Sequence, residues 1–202
     1  MDVLIVSRTR MKKGVCCGGI NLDNGEFIRI HNERGGNLSE EAPFQIGQIY
    51  NLQYQTAWNK RPCPHTEDKQ IQPSYQLIKV LSESEIIHTI DNLVNVPYGD
   101  INVIFDGMLH HSKYAAYISS DAIPNYSVCF WRPNSPLYKS EFMGKIRYAF
   151  NNDYISYVGF QNVVKTIPEG TLLRMSLANW WAPDDITEKR CYLQLSGWFG
   201  IK

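Results

Sequence analysis

The side chains best suited to chemistry lie in one loop, Cys63-Pro64-His65-Thr66-Glu67-Asp68. A thiol, an imidazole and two carboxylates could supply a nucleophile with its base, or part of a metal site. The spacing argues against both. Cys63 and His65 stand at i and i+2, where side chains of an extended segment diverge, whereas a nucleophile and its base meet through space. A metal would need more ligands, and Cys16, Cys17 and His31 are the candidates in the same half, at a spacing that matches no zinc pattern. The structural reading is that Cys63, His65, Glu67 and Asp68 belong to a Pro-rich loop pinned by side-chain hydrogen bonds to backbone. His110-His111 has no spaced partner to make a metal site. The chain shows no Gly-rich phosphate loop, Gly-x-Ser-x-Gly elbow or His-Glu-x-x-His sequence. The expectation is therefore a chain that is not an enzyme and carries no cofactor and no metal.

A second group of residues suits binding. Arg8-Thr9-Arg10-Met11-Lys12-Lys13 places four cations within six residues. Such a turn can track phosphates, helped by Arg29 and Arg34, or it can be a solvated turn that blunts a strand edge. Lys145 and Arg147 share a strand face opposite Ile146 and Tyr148, open either to phosphates or to plain solvent. Trp180 and Trp181 are adjacent, and two consecutive side chains of a strand cannot both point inward. One is then exposed, for base stacking or for a partner protein. The expected nucleic-acid residues are Arg8, Arg10, Lys12, Lys13, Arg29, Trp58, Arg147 and Trp180, and the expected partner interface is Trp180 with Trp181.

The bulk composition limits these readings. Lys plus Arg is 20 and Asp plus Glu is 20, so the formal charge is zero. Tight non-specific duplex binding normally shows a basic excess, so any phosphate site here is a local patch. Hydrophobic residues make up 44% and charged residues 20%, an ordinary globular balance. Twelve Tyr, eight Phe and five Trp favour strands, whose half-buried surfaces accept bulky rings. Five cysteines, two of them adjacent, read as free thiols of a reducing compartment. With no visible leader and no apolar run near the ~20 residues that span a bilayer, the expected location is the cytoplasm, away from membranes.

The elements that must position these residues follow from periodicity. Val3-Leu4-Ile5-Val6 reads as a strand. Asp23-Asn24-Gly25 is a hairpin turn between strand-like runs, and Gly18-Gly19 marks a bulge or bend. Residues 44–54 alternate apolar and polar, 58–73 hold three prolines and form a long loop, and 75–81 close a first β unit. Ser82 caps a helix over 83–95, with Ile86, Ile87, Ile90, Leu93 and Val94 at helical spacing and Pro97 beyond it. The stretch 101–124 is open between a short helix and a loop. Strands then recur at 128–131, 145–150, 154–160, 172–177 and 191–199. The order β-meander, helix, β-meander disfavours a doubly wound fold and favours small barrels such as the OB fold, with a single sandwich as the alternative. The expected class is mainly β: two small OB-like antiparallel barrels in tandem, at 1–82 and 100–202, with a connecting helix and linker at 83–99.

Several pieces together resemble the dual-OB-containing domain family of bacteria: Leu4-Ile5-Val6-Ser7-Arg8-Thr9-Arg10, Cys16-Cys17-Gly18-Gly19-Ile20, Gly25-Glu26-Phe27-Ile28-Arg29-Ile30, Pro64-His65-Thr66-Glu67-Asp68 and the terminal Cys191–Phe199 run. The resemblance spans nearly the whole chain. It implies two OB-like barrels, a setting in bacterial conflict or antiviral systems, and a role in sensing or holding nucleic acid or a partner protein. The first functional reading is thus a non-catalytic module for single-stranded or structured nucleic acid. The second is an adaptor docking on a larger NTPase or nuclease, and the third an enzyme using Cys63, His65 and Asp68.

Overall fold

The computed structural model describes residues 1–56, 63–184 and 187–201. They fall into two units, Met1–Pro62 with Thr66–Asn95, and Cys63–His65 with Val96–Lys202.

In the first unit the expected alternation becomes β1 (Asp2–Arg10), β2 (Val15–Asn21), β3 (Phe27–His31), β4 (Gln48–Thr56) and β5 (Asp68–Val80). They form a closed barrel in the order β1-β2-β3-β5-β4. β1 closes it by serving two neighbours: Val3–Arg10 lie opposite β2, and Asp2–Leu4 lie opposite β4. A register shift between Ile5 and Ser7 lets the strand coil enough to do so. β3 and β5 run parallel, pairing Arg29 with Asp68 and His31 with Gln70. The turn after β2 needs glycine at position 25, where φ is 73° and a Cβ would strike the Leu93 carbonyl. Val3, Ile5, Cys17, Ile28, Ile30, Phe44 and Leu52 fill the barrel. Burial, before any other cause, pushes the Cys17 thiol up to about 12, so this sulfur behaves as a core hydrophobe.

Helix α1 (Glu83–Leu93) follows β5 and groups with the first unit, where the expectation was a separate connecting segment. Ser82 and Glu85 form a capping box. The Ser82 backbone N–H donates to the Glu85 carboxylate at 2.8 Å, and Lys79 Nζ lies 2.9 Å from it. The Ser82 backbone N–H, then Lys79 and the Ser82 hydroxyl, hold the Glu85 carboxyl at about 2 against an ordinary 4.5. A depressed carboxyl stabilises the folded state fully above its unfolded pKa and loses that contribution as pH falls through the folded value. The Tm gap between the native chain and Glu85→Gln should therefore be widest above about 4.5 and close as pH approaches about 2, in a series of thermal melts.

The second unit contains β6 (Tyr98–Gly99), β7 (His110–His111), β8 (Ala116–Ile118), β9 (Val128–Pro133), β10 (Leu137–Phe142), β11 (Lys145–Phe150), β12 (Asp153–Tyr157), β13 (Thr166–Ile167), β14 (Leu172–Leu177) and β15 (Cys191–Phe199). The stretch 101–124, open in the sequence, holds two 3-10 turns, Ile101–Val103 and Phe105–Gly107, and then the β7–β8 hairpin. The run β10-β11-β12-β15-β14-β9 repeats the order of the first barrel, with β12 and β15 as the parallel pair. Here two strands share the part that β1 plays alone: β9 pairs with β14, and β10 with β11. Pro133 and Pro136 flank the break between them, since proline cannot donate to a ladder. Trp131, Tyr148, Phe150, Ile155, Leu173, Met175, Leu193 and Trp198 make the core. Alternation puts Arg174 on the face opposite Leu173 and Met175, and that face is covered as well. Arg174 is 2% exposed; its Nη1 donates to the Met175 carbonyl at 2.6 Å and its guanidinium lies 5.7 Å from the Phe130 ring. No helix among the described residues is long and apolar enough to cross a membrane.

Candidate nucleic-acid interface

Strand alternation sorts the second unit into an inner and an outer surface. Inward go Leu137, Tyr148, Phe150, Ile155, Leu193 and Leu195. The residues between them share the outer face, because paired residues of neighbouring strands project to the same side. Phe142 lies opposite Lys145, Ser140 opposite Arg147, and Tyr138 opposite Ala149, which in turn faces Tyr154. Ser156 continues to Gln194, and Tyr192, two residues earlier on β15, pairs with Tyr117, which pairs with His110.

This face is aromatic and cationic. Tyr138 is 56% exposed, Phe142 51% and Tyr154 36%. The Arg147 guanidinium lies 5.1 Å from the Phe142 ring, a cation–π arrangement that holds a charge beside a flat apolar surface. The turn between β10 and β11 carries Met143 and Gly144 at positive φ, and Met143 is exposed at its tip. Further along the face, Arg190 lies over the Tyr117 ring at 4.1 Å, and His110 stacks on the same ring with 5.6 Å between centroids. Trp181 stands 6.0 Å from Tyr192 and is 56% exposed. His110 is also tied at 3.2 Å to the Asp121 carboxylate.

The residues singled out from the sequence fall in several places. Arg147 is on this face. Of the tryptophan pair, Trp181 is the exposed member. Trp180 packs against the core, and its indole N–H donates to the Cys63 carbonyl at 2.8 Å. Arg10, Lys12 and Lys13 stand exposed at the end of β1 and in the turn after it. Arg8 is turned inward on the loop before β4, donating to the carbonyls of Ala42 and Phe44 at 2.9 Å and of Glu40 at 2.5 Å. Arg29 lies with its Nε 3.4 Å from Asp68, in a nearly buried cluster that also brings His31 Nε2 to 3.2 Å from the same carboxylate. His31 Nδ1 faces the Gly36 carbonyl at 3.3 Å. Both arginines are thus committed to bonds within the first barrel. Trp58 lies outside the described residues.

The Cys63–Asp68 loop does not converge on a reacting atom. Cys63 is exposed. His65 is 2% exposed, with Nε2 3.1 Å from the Ala178 carbonyl and 3.9 Å from Cys191 Sγ. A carbonyl only accepts, so Nε2 carries the hydrogen and is not a base for either thiol. The Glu67 carbonyl accepts from the Arg29 backbone N–H at 2.8 Å, and Asp68 opens β5 beside Arg29. Cys63 and His65 meet Trp180 and Ala178, whereas Glu67 and Asp68 both meet Arg29. Among the described residues no group of three His, Cys, Asp or Glu side chains could hold a metal ion.

The outer face escaped the sequence reading because β10 did. Leu137–Phe142 lies between Pro136 and the Met143-Gly144 turn, and its alternation is masked by outward Tyr138 and Phe142, which look like core. The available signal was the repeat of strand lengths around a two-residue turn.

A closed five-stranded barrel and a six-strand run that repeats its order, each with one parallel pair, define a tandem OB-type protein. The chain belongs to the dual OB-containing domain family, which it matches over residues 1–198. No curated protein matches it. Among solved structures it is similar to a murine DNA-binding protein bound with double-stranded DNA, at 10% identity over 96% of this chain and 91% of that one, TM-score 0.31. It is similar to the Ifi202 HINa domain in complex with a 20 bp duplex, at 12% identity over 88% and 83%, TM-score 0.33. The p204 HINb domain gives 13% identity over 96% and 95%, TM-score 0.35. Likeness at these scores carries no information about what this chain binds.

Proposed function

We propose that the chain is a non-catalytic module that holds single-stranded nucleic acid along the outer face of the second barrel. The observation that carries the reading is the run of Tyr138, Phe142 and Tyr154 beside Lys145 and Arg147 on one sheet surface. Every base has a π face, so exposed rings accept a strand with little regard to sequence, and the cations between them meet its phosphates. Trp181, Tyr192 and Arg190 would extend the same surface. In the bacterial conflict setting that the family resemblance implies, such a module would present a strand to a catalytic partner chain.

The three cations of this face make a specific prediction about salt. With Lys145, Arg147 and Arg190 as the phosphate contacts, log K against log salt should fall with a slope of about −2, at about −0.7 per contact for single strands. Fluorescence anisotropy with a labelled oligothymidine between about 50 and 200 mM salt reads this slope. A matching duplex, whose bases are already stacked, should bind at least about tenfold more weakly. Absence of binding to any single strand at low salt would remove this reading. The adaptor reading would then stand on Trp181, with retention of a partner nuclease or NTPase lost on Trp181→Ala as its test.

A further inference from the structure

We propose that the first barrel carries a separate docking groove for an extended basic and apolar peptide, which adds as a strand to the free edge of β5 and inserts one aromatic side chain into the cleft beside it. β5 pairs with β4 along almost its whole length, but with β3 only over Asp68–Gln70. Beyond Gln70 no described strand covers its second edge. From Gln72 to Val80 every residue is exposed. Two of them, Tyr75 and Leu77, lie opposite Leu52 and Tyr50, which are buried in the barrel core. They are core-facing positions left open, at 40% and 44% exposure. Ile78 and Val80 add exposed apolar surface further along the strand, past a register shift. A long apolar edge of this kind is a template for pairing, and a strand added to it gains main-chain hydrogen bonds while alternate side chains find pockets. Pro73 cannot donate, so pairing would run over 74–80.

The pocket is present. A cleft of about 370 Å³ opens beside the start of the free edge, walled by Leu38, Pro43, Phe44, Ile71 and Tyr75. Phe44 and Tyr75 face each other at 5.1 Å between ring centroids, an apolar aromatic floor with room for one large ring. Arg8 fixes the wall by gripping the carbonyls of Glu40, Ala42 and Phe44.

Charge selects the occupant. Glu33 lines the cleft, and Glu40 and Glu41 belong to the exposed loop that forms its wall. At the other end of the edge stands Glu83 in the first turn of α1, where Glu85 is already paired with Lys79. Carboxylates at both ends repel a phosphate chain and attract lysine or arginine. They also disfavour a second copy of this chain, because antiparallel self-pairing of β5 would bring the acidic rim of one copy against the acidic first turn of the other.

The test uses the full chain and a labelled peptide that alternates Lys with Val and carries one Trp. Anisotropy should report saturable binding. A counterpart with Glu for Lys, and another with N-methylated backbone amides, should each bind at least about tenfold more weakly. Leu77→Lys should weaken the Lys peptide to a similar degree. Glu33→Lys with Glu41→Lys, at exposed positions that leave folding intact, should reverse the preference toward the Glu peptide and decides the matter if Leu77→Lys fails to fold. Equal binding of the Lys and Glu peptides overturns the proposal. So does retention after N-methylation, or a dimer in sedimentation that Leu77→Lys dissolves. None of these results depends on whether the second barrel binds nucleic acid.

Discussion

Replacing Tyr138, Phe142 and Tyr154 together with Ala should lower single-strand affinity by at least about a hundredfold and leave thermal stability nearly unchanged. Each stacked base is worth about 1–3 kcal/mol, so even the lower bound, summed over three rings, reaches two decades in Kd. The rings are exposed and stand outside the core of the second barrel, and surface substitutions of this kind usually stay within about 0.5 kcal/mol of neutral. Phe142 carries a second consequence. Its ring lies under the Arg147 guanidinium, so Phe142→Ala also frees that cation to move. Phe142→Ala and Arg147→Ala should therefore combine to less than their sum, the mark of a shared interaction. Anisotropy on the single, double and triple variants, with melts run in parallel, separates these effects. An affinity loss under about threefold in the triple variant would move the site away from this face, toward Arg10, Lys12 and Lys13.

Asp68→Ala should cost about 3–5 kcal/mol, because it leaves the Arg29 charge nearly buried without its carboxylate. The Arg29 side chain is 11% exposed, that of His31 4% and that of Asp68 6%. The three meet where β3 and β5 pair in parallel, the contact that gives the barrel its order. Losing the carboxylate thus affects the junction that a local helix or hairpin does not stabilise by itself. The pair can be tested against its apolar replacement. Asp68→Leu with Arg29→Met should cost far less than the sum of the single changes, since well-packed apolar groups substitute for a buried ion pair at little net cost. Urea unfolding followed by circular dichroism gives all four values. A cost under about 1 kcal/mol for Asp68→Ala would mean that water reaches the cluster.

Much of the frame was legible because it rests on local rules. Asn24-Gly25 turns the chain at positive φ, Ser82 caps α1 with Glu85, and alternation places Leu173 and Met175 inward. Each depends on residues within a few positions of one another. The broken strand of the second barrel was harder. Pro133 and Pro136 look like the end of a strand, and only the pairing of β9 with β14 and β10 with β11 shows that one barrel edge continues through them.

By itself the sequence determined the β class and, in the strands it revealed, which side a residue takes, because backbone sterics and period-two alternation act at short range. It also placed four cations at the end of β1 and in the turn beyond it. What only the tertiary structure decided is what each side chain meets. Arg8 has the same guanidinium as Arg147, yet its partners lie 32 to 36 residues away in a loop that folds back on it, while Arg147 rests on Phe142 at an open surface. Arg174 takes the side of its strand that alternation assigns and is buried there. A charged side chain accepts a carbonyl, a carboxylate, a ring or a phosphate with similar chemistry, and the choice among them belongs to the long-range packing that covers one face and leaves another bare.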